Sequence, residues 1–293
     1  MGFERCHPAV KLLFFTAVLA LTLVCRHWVY LLLSLGASFW YGLRLHGRRA
    51  AVFGGVLLML AALYGVFYGS YHHFGETVLW TNGIGNPVTL EALQKGWAVG
   101  LSLAAALQWG SCLLALVTSD QVIYLIGRLW PGGAMALAAL LRLIPRTKAQ
   151  ARKIRVARQG IGRGPGQGNL LRRVRSGAAL CSMVVTWIID ALTAVSVSAG
   201  NRGGGLAHRT AFALYRMDTR DRVFLASLAA CLTAALTGAA LDQMWVQFDP
   251  RLAMHPMTGG AIFFAAAFGL FCLLPPLLDG YTDLRFRRAR RNL

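Results

Sequence analysis

Eleven cations, Arg142, Arg146, Lys148, Arg152, Lys153, Arg155, Arg158, Arg163, Arg172, Arg173 and Arg175, crowd the middle of the chain, and residues 121–189 contain no acid. A guanidinium presents a planar fork of N–H donors that fits a carboxylate or phosphate, so a block of them without internal counter-ions is equipped to meet an anion it does not itself carry. Asp190 is the one acid that follows closely, and it sits inside an apolar run. A charge there is costly unless paired, so the expectation is an ion pair with one of these arginines. A proton relay would need a second carboxylate in the membrane region, and the neighbouring apolar runs supply none.

Other chemistry is missing from the sequence. No Lys is preceded by Gly, so there is no phosphate-cradling Walker loop, and the glycines of 160–168 do not match G-x-G-x-x-G. Neither a G-x-S-x-G elbow nor an H-E-x-x-H pair occurs. His72 and His73 have only Glu76 nearby and read as loop residues, so no metal site, cofactor or catalytic residue is expected. Cys6, Cys25, Cys112, Cys181, Cys231 and Cys272 are scattered without paired spacing and read as small apolar residues.

The elements that must position the arginines follow from composition. Of 293 residues 56% are hydrophobic and 14% charged, and mean hydropathy is +0.53, which excludes an ordinary soluble domain and indicates a polytopic, all-α membrane protein. The formal net charge of +19 then marks loops at one membrane face rather than nucleic-acid binding. Apolar runs at 12–24, 28–43, 51–67, 97–117, 223–241 and 260–278 give about six spans. The first two are short and nearly continuous, compatible with a tilted, re-entrant or bent pair. The first is retained as a span, not a cleaved signal, because no A-x-A site follows it.

Arg44, Arg48 and Arg49 place the turn after the second run inside, while Glu76 and Glu91 place the next loop outside. Alternation puts the basic middle inside, 242–255 outside, and both termini in the cytoplasm of a multi-pass cell-membrane protein. Three regions result: 1–117, 118–222 and 223–293. The middle one is too long to lack structure. It divides into two helical arms, about 134–159 and 170–199, each ended by a glycine-rich break at 160–168 or 203–205. On the first arm Ile154, Ala157 and Ile161 are expected on one face and Lys148, Arg152 and Arg155 on another. From charge alone, these are interfacial helices whose arginines bind lipid headgroups.

Several ordered strings say more. His7-Pro8-Ala9-Val10-Lys11-Leu12, Leu141-Arg142-Leu143-Ile144-Pro145, Ala157-Arg158-Gln159-Gly160 and Asn201-Arg202-Gly203 occur in the order and spacing of the transmembrane T component of energy-coupling factor transporters, the family of cobalt-transport Q-type permeases. The chain resembles that family from its start to about residue 205. It departs in two places. The first Ala-Arg-Gly signature is not contiguous, with an alternative register ending at Ile161-Gly162, and the acid usual after the Pro145 equivalent is missing.

The resemblance implies a non-catalytic coupling subunit without a cofactor. Two cytoplasmic arms would dock on two ABC-type ATPase subunits while the membrane region holds a substrate-binding S component, for uptake of a vitamin or transition-metal ion. Ala157, Arg158, Gly160, Asn201, Arg202 and Gly203 would be the ATPase-coupling residues, supported by the basic face of Arg142, Lys148, Arg152 and Arg155. Membrane lipids are further partners, and nucleic acid is not. The competing expectation is a membrane-embedded enzyme or binding protein for anionic lipid headgroups. Its enzymatic form lacks a His, Asp or Glu near the clamp.

Overall fold

The computed structural model describes residues 2–81, 87–164, 166, 169–204 and 215–291. In chain order these form α1 (Pro8–Val24), α2 (Trp28–His46), α3 (Arg48–Tyr71), β1 (Val78–Thr81), β2 (Pro87–Thr89), α4 (Leu90–Leu116), α5 (Ser119–Leu129), α6 (Pro131–Gly160), α7 (Leu170–Asn201), α8 (Thr219–Ala240), β3 (Val246–Gln247), β4 (Ala253–Met254) and α9 (Gly259–Arg291). The chain is an all-α polytopic membrane protein, with two small antiparallel hairpins, β1–β2 and β3–β4, in its loops. It divides into a unit of Met1–Thr118 with Tyr215–Leu293 and a second unit of Ser119–Leu214.

Local chemistry sets the helix starts of the first unit. Pro8 stands in the first turn of α1, where its missing N–H costs nothing, and His7 Nδ1 accepts the Ala9 amide at 3.2 Å. His27 does the same for Val29 at 3.4 Å and opens α2, so the two short runs are separate helices rather than one bent one. Asp218 and Asp221 form a reciprocal capping box. This starts α8 at Thr219, four residues before the expected 223.

The six helices of this unit run back and forth between two ends. At one end Phe3 N–H reaches Asp279, Arg44 meets Asp283 at 2.5 Å, and Lys11 reaches the Leu116 carbonyl, uniting the start of α1 with the ends of α2, α4 and α9. At the other end Arg251 pairs with Glu76, and Phe74, Trp28, Val246 and Leu252 pack around Leu31, Ala98 and Phe248. Four of the six, α3, α4, α8 and α9, are long and apolar enough to cross a membrane by themselves. α1 has only 17 residues, and α2 carries Tyr30, Ser34, Ser38 and Tyr41 on its buried side. The fifth helix that is long and apolar enough is α7, in the other unit, which differs from the six runs expected.

Packing explains why the weaker pair is held. Phe14 contacts Trp109 and Phe271 at 5.5 and 5.3 Å between ring centroids, and Trp109 Nε1 donates to Ser34 Oγ at 3.0 Å. Aromatic burial thus ties α1, α2, α4 and α9 together where length and hydropathy alone would not. α3 and α4 approach through small residues: a Cβ on Gly100 would lie 2.7 Å from the Ala61 carbonyl oxygen, and one on Gly96 2.9 Å from that of Gly65. Close backbone contact of this kind replaces the hydrophobic effect as the cohesive force between helices in lipid.

The second unit contains α5, α6 and α7. Both arms are somewhat longer than the expected 134–159 and 170–199, and α6 continues through Pro145. Its covered face is Leu143, Thr147, Ala151, Ile154 and Arg158; Ala157 and Ile161 are exposed. The expected apolar face of Ile154, Ala157 and Ile161 is therefore corrected: side chains at four-residue spacing from Leu143 onward cover a stripe that Ala157 misses. Asp190 is also corrected. It is exposed on α7 and makes no ion pair among the described residues, its carbonyl accepting from Thr193 Oγ1 at 2.8 Å.

Candidate functional site

Both arms end in the same backbone device. In α6 the Gly162 N–H donates to the Gln159 carbonyl and that of Arg163 to the Arg158 carbonyl, at 3.1 and 2.9 Å, with Gly162 at φ 70°. In α7 the Gly203 N–H donates to Gly200 and that of Gly204 to Ala199, at 3.0 and 2.8 Å, with Gly203 at φ 75°. These are paired Schellman bonds, which require a left-handed residue after the cap and so favour glycine. Superposing the two motifs matches Gly162 with Gly203 and Ile161 with Arg202.

That register separates the two arginines. Arg202 is the cap residue of α7, and its exposed guanidinium has no hydrogen bond or ion pair among the described residues. It borders an open concavity of about 530 Å³ lined by Thr193, Ala194, Val197, Ser198 and Asn201. Arg158 lies one turn before its cap and is half-buried. Its Nε donates to the Arg163 carbonyl at 3.3 Å and one terminal nitrogen lies 3.8 Å from Met183 Sδ on α7. Arg158 thus closes the turn it sits on, whereas Arg202 projects from its helix end. Gly160 is helical with open space around its α-carbon, and Ala157 and Asn201 are exposed.

The supporting cations Arg142, Lys148, Arg152 and Arg155 are all exposed along α6. Their positive field is strongest away from the helix ends, because at the C-termini the partial negative charge of the helix partly offsets it and stabilises the cations held there. The arrangement suits binding of an anionic partner.

Sequence reasoning missed a second polar cluster, inside the first unit. Asp279, 1% exposed, accepts from the Phe3 N–H at 2.7 Å and from the Tyr41 hydroxyl at 3.1 Å. Lys11 is wholly buried, with Nζ donating to the carbonyls of Glu4 and Leu116 at 2.6 and 3.3 Å. Burial, and the nearby Asp221 carboxylate, push the Cys6 thiol up to about 12, so it stays protonated and inert. The available signal was a lysine immediately ahead of the first apolar run. Asp279 gave none, since it follows directly on the run that ends at 278. The first unit thus holds a buried carboxylate one residue beyond an apolar run, where the reading of the runs themselves did not reach.

The remaining candidates have ordinary roles. His72 stacks on Tyr68 at 3.9 Å, and His73 Nδ1 lies 3.1 Å from the Pro87 carbonyl. Among the described residues no three His, Cys, Asp or Glu side chains are grouped to hold a metal ion, and all six thiols are free. A groove of about 650 Å³ between α3 and α4 is lined by Leu57, Tyr64, Phe67, Leu103 and Leu107 with Ser70 as its polar residue. It offers shape but no chemistry. No protein-family model matches the chain, and no curated protein does.

Proposed function

We propose that the chain is the non-catalytic transmembrane coupling subunit of an energy-coupling-factor importer, working in the cell membrane with both termini cytoplasmic. The observation that carries this reading is the pair of rigid arms in one unit, each stopped by a glycine Schellman turn and carrying between them a single acid, Asp190. A cation fixed at a helix end makes a directional, bidentate contact with a carboxylate, which a lipid surface does not require. Arg202 is the leading contact to one ABC-type ATPase; the α6 end, with Arg158 and Arg163, serves the other. Nucleotide-driven movement of the ATPases would displace the arms and, through them, the membrane helices that hold an S component carrying a vitamin or transition-metal ion.

The experiment is purification of the tagged full chain from its native membrane, with bound subunits identified by mass spectrometry. Two Walker-type ATPases should accompany the wild type and be lost from Arg202→Ala at equal membrane expression. Retention of both by that variant rejects the assignment.

One observation favours a second reading. None of the apolar window of α7 is buried, and the helix is long and apolar enough to enter a bilayer, with Arg172 and Arg173 in its first turn and Arg175 just beyond. A binding protein for anionic headgroups would use such a helix. It predicts that purified chain binds vesicles in proportion to their anionic lipid, and that Arg202→Ala binds as well as wild type.

A further inference from the structure

The Ser119–Leu214 unit is attached to the membrane unit by two covalent junctions, and one short segment holds both. Leu116 ends α4, two residues before the boundary at Thr118, and its carbonyl accepts from Lys11 Nζ at 3.3 Å. On the returning side, Arg220 and Phe224 lie in the first turns of α8, soon after Tyr215. The Phe3 ring, wholly buried, sits 5.6 Å from that of Phe224, and a Cβ on Gly2 would lie 2.7 Å from the Arg220 guanidinium and from Thr282. A side chain at position 2 would therefore crowd both the Arg220 guanidinium and the Thr282 side chain.

The segment is itself tied down from several directions. Phe3 also meets Phe14 at 5.8 Å, its N–H is taken by Asp279, and Cys6 Sγ donates to the Gly2 carbonyl at 3.6 Å. Lys11 links the two halves of this arrangement, because the same ammonium holds the Glu4 carbonyl of the segment and the Leu116 carbonyl of the outgoing junction. A buried ammonium is retained only where its donors are used, and here they are used on backbone at two places 112 residues apart in sequence.

We propose that residues 2–11 are an internal anchor that fixes both junctions of the arm unit to the membrane helices, with Lys11 as its positioning residue. Displacement of the arms is then delivered to α4 and α8 instead of being lost by flexing of the connections. The use of this anchor in transport rests on the coupling reading; its mechanical action does not.

The test is amide hydrogen exchange on the full chain in phospholipid nanodiscs, comparing wild type with Lys11→Met and Gly2→Val. Lys11→Met should exchange about tenfold faster at 112–119 and 216–224, as expected when buried hydrogen bonds lose their donor, and Gly2→Val about tenfold faster at 216–224, where the new side chain crowds Arg220, while α3 stays protected in both. Change confined to α1, or loosening spread equally into α3, overturns the anchor. Gly2→Val keeps Lys11 and the core intact, so general misfolding of Lys11→Met alone does not decide the matter: the returning junction of Gly2→Val does.

In the intact complex, a non-hydrolysable ATP analogue should alter exchange in α4 and α8 of wild type. The response should fall about tenfold in Lys11→Met with both ATPases still bound, following the same loss of junction rigidity. An undiminished response with loosened junctions rejects the anchor's role in transmission. Loss of ATPases from Arg202→Ala with protected Lys11→Met junctions sinks the anchor and leaves the coupling reading intact. Loosened junctions with ATPase binding indifferent to Arg202 do the reverse.

Discussion

The two units handle charge in opposite ways. In the membrane unit the buried ionic groups are spoken for within the chain: Lys11 by two carbonyls, Asp279 by Phe3 and Tyr41, and Glu91, 4% exposed, by the amide and hydroxyl of Thr77 at 3.4 and 2.7 Å. In the arm unit Arg142, Lys148, Arg152, Arg155 and Arg202 stand exposed and make no ion pair among the described residues, with Asp190 or otherwise. Burial enforces satisfaction in the first case, since an orphaned charge in low dielectric would not be tolerated. Exposure permits the second. A surface that keeps so many cations unneutralised is stable because water and salt screen it, and it stays available to an anionic partner.

The contrast is sharpest at two aspartates. Asp279→Ala leaves two buried donors without an acceptor, at about 1–3 kcal/mol each, so unfolding in detergent should shift by about 2–6 kcal/mol. Asp190→Ala removes an exposed carboxylate and should stay within about 0.5 kcal/mol. Thermal melts followed by circular dichroism compare them directly. Equal effects would break the distinction between a unit whose buried charges are paired and an open one.

Next in size is the arm end. Truncating Arg202 removes a charge-assisted contact from a desolvated interface, about 2–5 kcal/mol of association, or at least a thirtyfold weaker complex. Arg158→Ala should cost less association, because its guanidinium is committed to the Arg163 carbonyl and Met183 within the unit. The measurement is the fraction of ATPase retained over a salt gradient. If Arg158→Ala proves the more damaging, the register that equates Gly162 with Gly203 is the wrong guide to the interface.

Much of this was legible in the sequence, and the legible part has a common cause. Helix existence followed from apolar runs, and both arm ends followed from glycines that the left-handed turn demands, Gly162 and Gly203. What stayed hidden depends on partners distant in sequence. Lys11 meets Leu116, Phe3 meets Asp279, and no periodicity announces such pairs. The apolar stripe of α6 was misplaced because Ala157 and Ile161 fit a four-residue repeat as well as Leu143 and Thr147 do, and only the packing of α5 and α7 against α6 chooses between them. Length and hydropathy also could not tell an arm from a span for α7, whose 32 residues suit either. Cysteine reporters at positions 166 and 204 settle that: labelling from one membrane side makes α7 an arm, and from opposite sides a span.

The glycines of the two arms give a smaller effect with the same logic. Gly162→Ala and Gly203→Ala place a Cβ in the left-handed region and should cost about 1–2 kcal/mol each. Gly160 is helical with open space beside it, so Gly160→Ala should stabilise the arm by about 0.5–1 kcal/mol. Exchange rates at the α6 and α7 C-termini read this out. A cost at Gly160 comparable to that at Gly203 would mean that the position serves a partner's close approach rather than the helix.

Smallest of all should be the arginines at the start of α7. Arg172 and Arg173 are exposed and lie in its first turn, where the helix dipole disfavours cations and water screens them. Near a headgroup layer each contributes about 1 kcal/mol, and the contribution falls with ionic strength. Replacing either by alanine should therefore leave ATPase retention close to wild type while modestly reducing binding to vesicles of anionic phospholipid. The comparison with Arg202 decides how the field of the arm unit is read. If Arg172→Ala, Arg173→Ala and Arg202→Ala reduce vesicle binding equally and none of them touches ATPase retention, position along the arms carries no information. Summed charge is then what the unit presents, and its partner is a membrane surface. If only Arg202→Ala releases the ATPases, the helix end is read one side chain at a time, and the partner is a protein carrying an acidic pocket.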